Sequence, residues 1–488
     1  MSTPTAPAAA TPEQRLGGAA AAEPALTRRS WLTLVAMTGS LSMIMLDQTV
    51  VSVSLPTMTR DLPLSSTGAQ WVVNAYVLAM AAAVALGGRL GSKLGPVTTF
   101  CAGVTTFFAA SALCGLAPAG SIGQDWMIAA RVGQGLGAAL MMPVSATIVM
   151  SAFPSRMRGR AMGTYVGTSQ IFLALGPLLG GACTEWLSWR AVFWINLPVG
   201  IAALILVAIA RPENPKQSSL RVSPLDSGLL VTGVAASVYA LQQSATWGWS
   251  SPGTLGILGA GLATLAVFVW AQVRHDAPLV DVRLFRHRAF TGDVLVLFAT
   301  QFGMLAMTLY ASLYAQNLLG YSPVKAGFTA LAMIVPLMIG AQIAGRWYDR
   351  SGARAPLLTG LSIATVGAAA WTLALPDIAY VSKVPGMALV GLGLGLVFSP
   401  INTDALSRVS PGARPQASGI VQTVRQLGGT LGVAVIGSVI LAHENPHVAA
   451  VARVGNTAHA MTYGFWIAVA IFALGLGAGW ALLPRRRG

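Results

Sequence analysis

Residues 163–181 read GTYVGTSQIFLALGPLLGG, and the hydrophobic stretch continues until it leaves through Trp189-Arg190 and Ile195-Asn196-Leu197-Pro198. In water a helix would be weakened by Gly163, Gly167, Gly176-Pro177 and Gly180-Gly181, at about 1 kcal/mol per interior glycine and about 3 kcal/mol for proline. In lipid these residues are tolerated, because neighbouring helices re-satisfy the backbone and small residues let helices pack closely. Gly163 and Gly167, like Gly176 and Gly180, are four apart and share a face. Smooth faces of this kind suit helices that shift against one another, which points away from a static anchor.

Composition agrees with a membrane setting. Hydrophobic residues are 55%, charged residues 9% and mean hydropathy is +0.67, whereas soluble domains are about a quarter charged. The net charge of +15 could suggest nucleic acid, but the arginines sit in short loops between apolar runs, with no basic groove and no stacking aromatics beside them. Cys101, Cys114 and Cys183 lie in apolar spans without CxxC or metal-type spacing and read as small core residues. Residues 1–28 are Ala/Pro/Thr-rich and unpatterned, which predicts a disordered cytoplasmic tail. Thr27-Arg28-Arg29-Ser30-Trp31-Leu32 superficially resembles a twin-arginine export signal. The apolar stretch behind it is too long, contains Asp47 and lacks an Ala-x-Ala cleavage site, so an uncleaved first span is expected.

Runs of about 20 apolar residues predict fourteen spans: 31–55, 69–87, 98–117, 126–150, 161–184, 191–210, 227–246, 254–273, 290–312, 326–344, 356–375, 385–405, 417–441 and 462–483. With the N-terminus inside, 23 lysines and arginines fall in inner segments, and only Arg60, Arg190, Lys325, Lys383 and Arg453 fall outside. The positive-inside rule therefore predicts both termini in the cytoplasm. Gly88-Arg89-Leu90-Gly91-Ser92-Lys93-Leu94-Gly95 follows span two, and Gly345-Arg346-Trp347-Tyr348-Asp349-Arg350-Ser351-Gly352 follows span ten. This repeat predicts an all-α integral membrane protein with an N-terminal six-helix bundle (29–212), a linking helix pair (213–275) and a C-terminal six-helix bundle (276–488). Two like bundles with a site between them is an architecture for alternating access.

These residues resemble the major facilitator superfamily, specifically its 14-span drug:proton antiporter family. Both loops look like its Gly-x-Leu-x-Asp-Arg-x-Gly-Arg signature. Arg131-Val132-Gly133-Gln134-Gly135-Leu136-Gly137 resembles the RxxQG element, Gly176-Pro177-Leu178-Leu179-Gly180-Gly181 the GPxxGG element associated with antiporters, and Leu46-Asp47-Gln48-Thr49-Val50-Val51 with Leu55-Pro56 the first-span LDxTxVxxALP motif. One departure is Ser92 in place of the family's loop aspartate. Ser92 can cap the following helix but cannot pair with an arginine, so a weaker inner latch is expected on that side, with Asp349 and Arg350 keeping the feature in the second copy. The resemblance implies Gly88, Gly95, Gly133, Gly137, Gly176, Pro177, Gly180, Gly181 and Gly345 as parts of the conformational machinery.

A charge at mid-bilayer costs about 2.5–3.5 kcal/mol by insertion scales and marks function by default. Asp47, Arg131 and Arg425 lie clearly within spans; Glu185, Asp293 and Asp404 fall at span ends, where water is expected to reach. His275 and His287 fall on the inner side and His443, His447 and His459 in the last outer loop, so a proton carrier inside the bundle must be a carboxylate. Asp47 is the candidate proton site, with Arg131 as a partner that approaches and withdraws; a permanent structural pair is the alternative. Met43, Val50 and Ser54 share the Asp47 face, and Gln134 and Ala138 share the Arg131 face. Candidate cavity residues are Met43, Asn74, Tyr76, Gln134, Met141, Met142, Gln170, Phe172, Gln301, Met304, Tyr310 and Arg425, with ordinary helix packing or lipid contact as the alternative for each and packing or carbonyl binding for Arg425; flexible Met and aromatic walls would suit bulky amphipathic compounds. There is no P-loop and no metal cluster, and Gly391, Gly393 and Gly395 sit mid-span with no preceding strand, so no enzyme chemistry, metal or cofactor is expected. The expected activity is secondary active export of drug-like or antibiotic-like compounds in exchange for protons, by a monomer in the plasma membrane. A dedicated exporter of an amino acid, siderophore or lipid precursor, or a non-transporting membrane sensor, remains the alternative.

Overall fold

The structure is a computed structural model that describes residues 26–62, 64–120, 122–217, 223–275, 278, 282–443 and 450–484. The expected disordered tail lies outside the described residues up to position 25, and Arg28 already belongs to the first helix. Fourteen long helices follow in order: α1 (Arg28–Asp61), α2 (Ser66–Leu94), α3 (Pro96–Gly115), α4 (Gly123–Ala152), α5 (Arg158–Trp186), α6 (Asn196–Ala210), α7 (Pro224–Trp247), α8 (Pro252–Arg274), α9 (Arg288–Asn317), α10 (Leu331–Ser351), α11 (Arg354–Ala374), α12 (Val384–Ser407), α13 (Arg414–His443) and α14 (Ala450–Leu482). Short helices at Ala191–Trp194 and Pro323–Thr329 lead into α6 and α10. Thirteen of the spans are long and apolar enough to cross a membrane, and the fourteenth, α5, does so as a pair of segments, Ser155–Leu173 and Leu178–Trp186, bent by 44°. No strand occurs among the described residues.

Starts and stops follow local chemistry. Thr27, Ser65, Ser223 and Ser251 each accept a first-turn N–H on a side-chain oxygen, meeting one of the donors every helix start leaves open. Between α2 and α3 the chain turns on Gly95 alone, at φ +95°, a conformation that only glycine adopts without strain. The last helix begins earlier than its hydropathy suggests, so His459 lies in its first turns and not in a loop.

Packing repeats between the halves. In the first half α4 packs on α2 and α3, while α1 packs on α5 and α6; in the second α12 packs on α10 and α11, while α9 packs on α13 and α14. The two halves meet through α5 on α10 and through α2 on α13, the same pair of positions exchanged. The linking pair is more than a longer connection. α7 packs on α8, α2 and α13, so it stands across one of the two seams between the bundles, while α8 turns most of its surface outward.

Candidate functional site

Asp47 on α1 is fully buried, and Arg131 on α4 is 1% exposed. Arg131 Nη1 donates to Asp47 Oδ2 at 2.5 Å, and Gln134 Nε2 donates to Asp47 Oδ1 at 3.2 Å. The ring closes through Arg131 Nη1 and Gln134 Oε1 at 2.9 Å, and the Cys114 thiol of α3 also donates to that oxygen at 3.4 Å. Two contacts tie the guanidinium to α2: Nε donates to the Val72 carbonyl at 2.8 Å, and the Tyr76 ring lies 4.5 Å beneath. Arg131 is therefore anchored to the α2–α4 layer, and Asp47 is carried by the α1–α5–α6 layer.

Two residues beyond Asp47, Thr49 addresses the break in α5. Proline has no N–H, so the carbonyl four residues before Pro177, that of Leu173, loses its helical donor. Thr49 Oγ1 lies 3.0 Å from that carbonyl and donates to it, as well as 3.2 Å from Leu46 O on its own helix. A Cβ on Gly176 would collide with Thr49, and one on Gly180 would sit 2.8 Å from Val50 O. Below the break the same helix turns its glycines to the other bundle: a Cβ on Gly163 would meet Ala341 O at 2.7 Å, and one on Gly167 would meet Ala341 Cβ at 3.3 Å. The side chain of Pro177 lies outside the described residues.

The arginine-rich end is closed. Asp349, at the end of α10, accepts the Gly159 N–H on Oδ1 at 2.8 Å and the Arg160 N–H on Oδ2 at 3.0 Å. A carboxylate from one bundle thus caps the positive start of a helix in the other. Gly159 and Gly345 touch backbone to backbone there. At the α2–α13 seam Gly88 and Gly91 lie against Pro415. Ser92 does not cap α3 as expected: its hydroxyl donates back to Gly88 O at 3.5 Å, and the α3 start is met by Asn214 Oδ1, which accepts the Val97 N–H at 3.0 Å.

In the opposite half a cavity of about 610 Å³ opens between α2, α7, α9 and α13. Of the expected cavity residues, Asn74 and Tyr310 line it, and Tyr310 donates to Val433 O at 3.3 Å. Gln301 and Arg425 meet each other between α9 and α13, with the Gln301 amide oxygen accepting from Arg425 Nε at 2.5 Å and Nη2 at 3.1 Å. Met43, Met141, Met142, Gln170 and Met304 are buried in helix packing, and Phe172 is partly buried against the Val50–Trp189 cluster. Gly133 and Gly137 pack α4 on Ala110 and Phe107 of α3. Sequence reasoning missed the α7 wall, above all Gln242, Ser244 and Trp249; Trp249 Nε1 donates to Ser438 of α13. The aromatic residues Tyr239, Trp247 and Trp249, in and just after the seventh span, were the available signal.

A second acidic group differs from expectation. Asp293 is not at a watered span end but fully buried, 3.5 Å from Arg408 Nε. Arg408 also bridges Asp404, which accepts from the Tyr348 hydroxyl at 3.3 Å.

The family model described as Major Facilitator Superfamily matches residues 37–433. Multidrug resistance protein Stp of Mycobacterium tuberculosis (strain CDC 1551 / Oshkosh) is 32% identical over 418 residues, covering 86% of this chain and 77% of that one. Puromycin resistance protein pur8 of Streptomyces alboniger is 31% identical over 468 residues, covering 94% and 92%. The tetracenomycin C resistance and export protein of Streptomyces glaucescens is 32% identical over 421 residues, covering 84% and 76%. Among solved structures, the human organic anion transporter MFSD10 superposes with a TM-score of 0.65 at 14% identity, covering 93% of this chain and 99% of that one; at that identity the likeness concerns the fold.

Proposed function

The chain belongs to the major facilitator superfamily, and from that membership we propose that it is a proton-coupled exporter of amphipathic, antibiotic-like compounds. It works as a monomer in the plasma membrane with both termini in the cytoplasm. The relatives carry names of resistance and export proteins, which supports the direction of transport. The observation that carries the coupling is the buried Asp47–Arg131–Gln134 ring, held between two layers of one bundle and two residues from the contact that secures the α5 break.

An enclosed carboxyl holds its proton more tightly, and an adjacent cation loosens it. Arg131 is fastened to α2, so a shift of α1 that follows a change of bend in α5 lengthens the Asp47–Arg131 contact and lets Asp47 take a proton. Return of α1 after the arginine-rich end has opened restores the pair and expels the proton on the inner side, opposite to its uptake. The positive-inside rule assigns the closed, arginine-rich end to the cytoplasm, so this conformation has released cargo outward and awaits a proton. One proton per cycle moves one charge, about 2.3 kcal/mol per 100 mV of potential. Asp47→Asn in everted vesicles is expected to abolish substrate movement driven by an imposed pH gradient at normal expression. Retained gradient-driven transport in that variant refutes the coupling, and transport indifferent to a protonophore refutes proton antiport altogether.

A further inference from the structure

The proton site leaves one central charge unused. Arg131 is neutralised by Asp47, and Arg408 by Asp293 and Asp404. Arg425, midway along α13, is in none of the ion pairs found among the described residues. Its contacts are neutral: the Gln301 amide oxygen and the face of Phe398, 5.3 Å from the guanidinium carbon. It lies deep in the protein yet keeps a partly accessible surface. A guanidinium has five N–H donors; Gln301 takes two, which leaves three.

The surroundings give this charge a direction. Leu305, one turn along α9 from Gln301, and Thr430, five residues along α13 from Arg425, both line the 610 Å³ cavity. At 1.5 Å per residue Arg425 stands about 6–8 Å below it. The cavity wall offers amide, hydroxyl and aromatic groups, among them Asn74, Gln242, Ser438 and Trp249, and among the described residues no carboxylate lines it. A cation entering it would meet no carboxylate among the described lining residues and, about one to two turns deeper along α9 and α13, a guanidinium outside the ion pairs. An anion would find a planar fork of donors that matches a carboxylate or an aryl oxyanion.

We propose, on the basis of the exporter reading, that Arg425 is the receptor for a negative charge on the cargo, so that the preferred substrates are amphipathic aromatic acids or acidic phenols. Gln301 is a positioning residue that orients the fork. Neutral cargo binds through the walls alone, and cationic cargo is disfavoured.

Equilibrium binding to the purified full chain in lipid nanodiscs, read by fluorescence polarisation, tests this with fluorescein as anionic probe and ethidium as cationic probe. Fluorescein is expected to bind at least about tenfold tighter than ethidium, and Arg425→Gln to lose about tenfold in fluorescein affinity, as for one hydrogen bond to a charged group. Arg425→Lys should keep part of the preference. Gln301→Glu guards against misfolding, since it supplies Arg425 with an internal counter-ion: the chain should stay as heat-stable as the native one yet lose fluorescein binding by a similar factor. Equal binding of both probes by the native chain, or unchanged fluorescein binding by folded Arg425→Gln or Gln301→Glu, overturns the proposal. No gradient is involved, so failure of proton coupling at Asp47 leaves this result standing, and the reverse holds.

Discussion

Replacing Thr49 by valine keeps the β-branched shape and removes only the hydroxyl that meets the Leu173 carbonyl at 3.0 Å. Leaving a buried acceptor unsatisfied costs about 1–3 kcal/mol, and the lower part of that range, about 1–2 kcal/mol, applies to this half-buried contact. The cost exists because Pro177 provides no N–H. In a Pro177→Ala background the backbone can donate to Leu173 itself, and the same Thr49→Val change should cost close to nothing. The double-mutant cycle therefore carries a coupling of about 1–2 kcal/mol between a side chain on α1 and a backbone group on α5, within the range for residues sharing one hydrogen-bond network. Thermal unfolding of the four purified proteins in one detergent, followed by reaction of the buried Cys114 thiol as it becomes exposed, gives the cycle. Equal destabilisation by Thr49→Val in both backgrounds refutes the assignment of Thr49 to the orphaned carbonyl. Pro177→Ala alone should raise stability while slowing transport, because a straightened α5 no longer has a weak point at which to flex.

Other parts of the molecule give further expectations. Asp349→Ala removes the cap on the start of α5 and should weaken closure of the arginine-rich end by about 1 kcal/mol, seen as faster labelling of a cysteine introduced at Ser399, whose hydroxyl now donates to Gly159 O. Gly88→Val puts a side chain into the Pro415 backbone and should hold that end open, which the same labelling would show as complete and insensitive to substrate. Gln134→Leu leaves Asp47 Oδ1 without its donor and should shift the pH at which transport is half-maximal, while Gln134→Glu, which adds a second carboxylate beside Asp47, should impair transport more severely. Trp249→Phe breaks the clasp to Ser438 but keeps the aromatic wall, so it should speed cargo release with little loss of binding, measured as a split between turnover and KM.

Much of this architecture was legible in the amino-acid sequence because lipid enforces it. Twenty apolar residues must form a helix, arginine must collect on one side, and a charge within a span stands out. Those constraints identify the fourteen helices, the repeat and the pair Asp47–Arg131. Helix facing was harder to read. Lipid is as apolar as a bundle core, so hydropathy does not distinguish the side of α4 that touches α3 from a side that touches acyl chains. Met141 and Met304 accordingly read as cavity wall and lie in helix packing. Asp293 was hidden by its place near the start of a span, where its burial depends on Arg408 arriving from 115 residues away. The Thr49 contact needs two helices in register before it means anything. Ser92 had two geometrically open roles, and the backbone of its own helix took the hydroxyl.

The placement of α7 bears on where released molecules go. Oily compounds expelled by a carrier readily dissolve back into the leaflet beside it, and the work of export is undone. With α7 drawn across the gap between α2 and α13, and Trp249 pinned to Ser438 at its rim, the cavity beside it is fenced from acyl chains on that flank. On the proposed exporter reading, departure is then steered toward water, and α7 acts as a splashboard that keeps discharge from running back into the membrane it left.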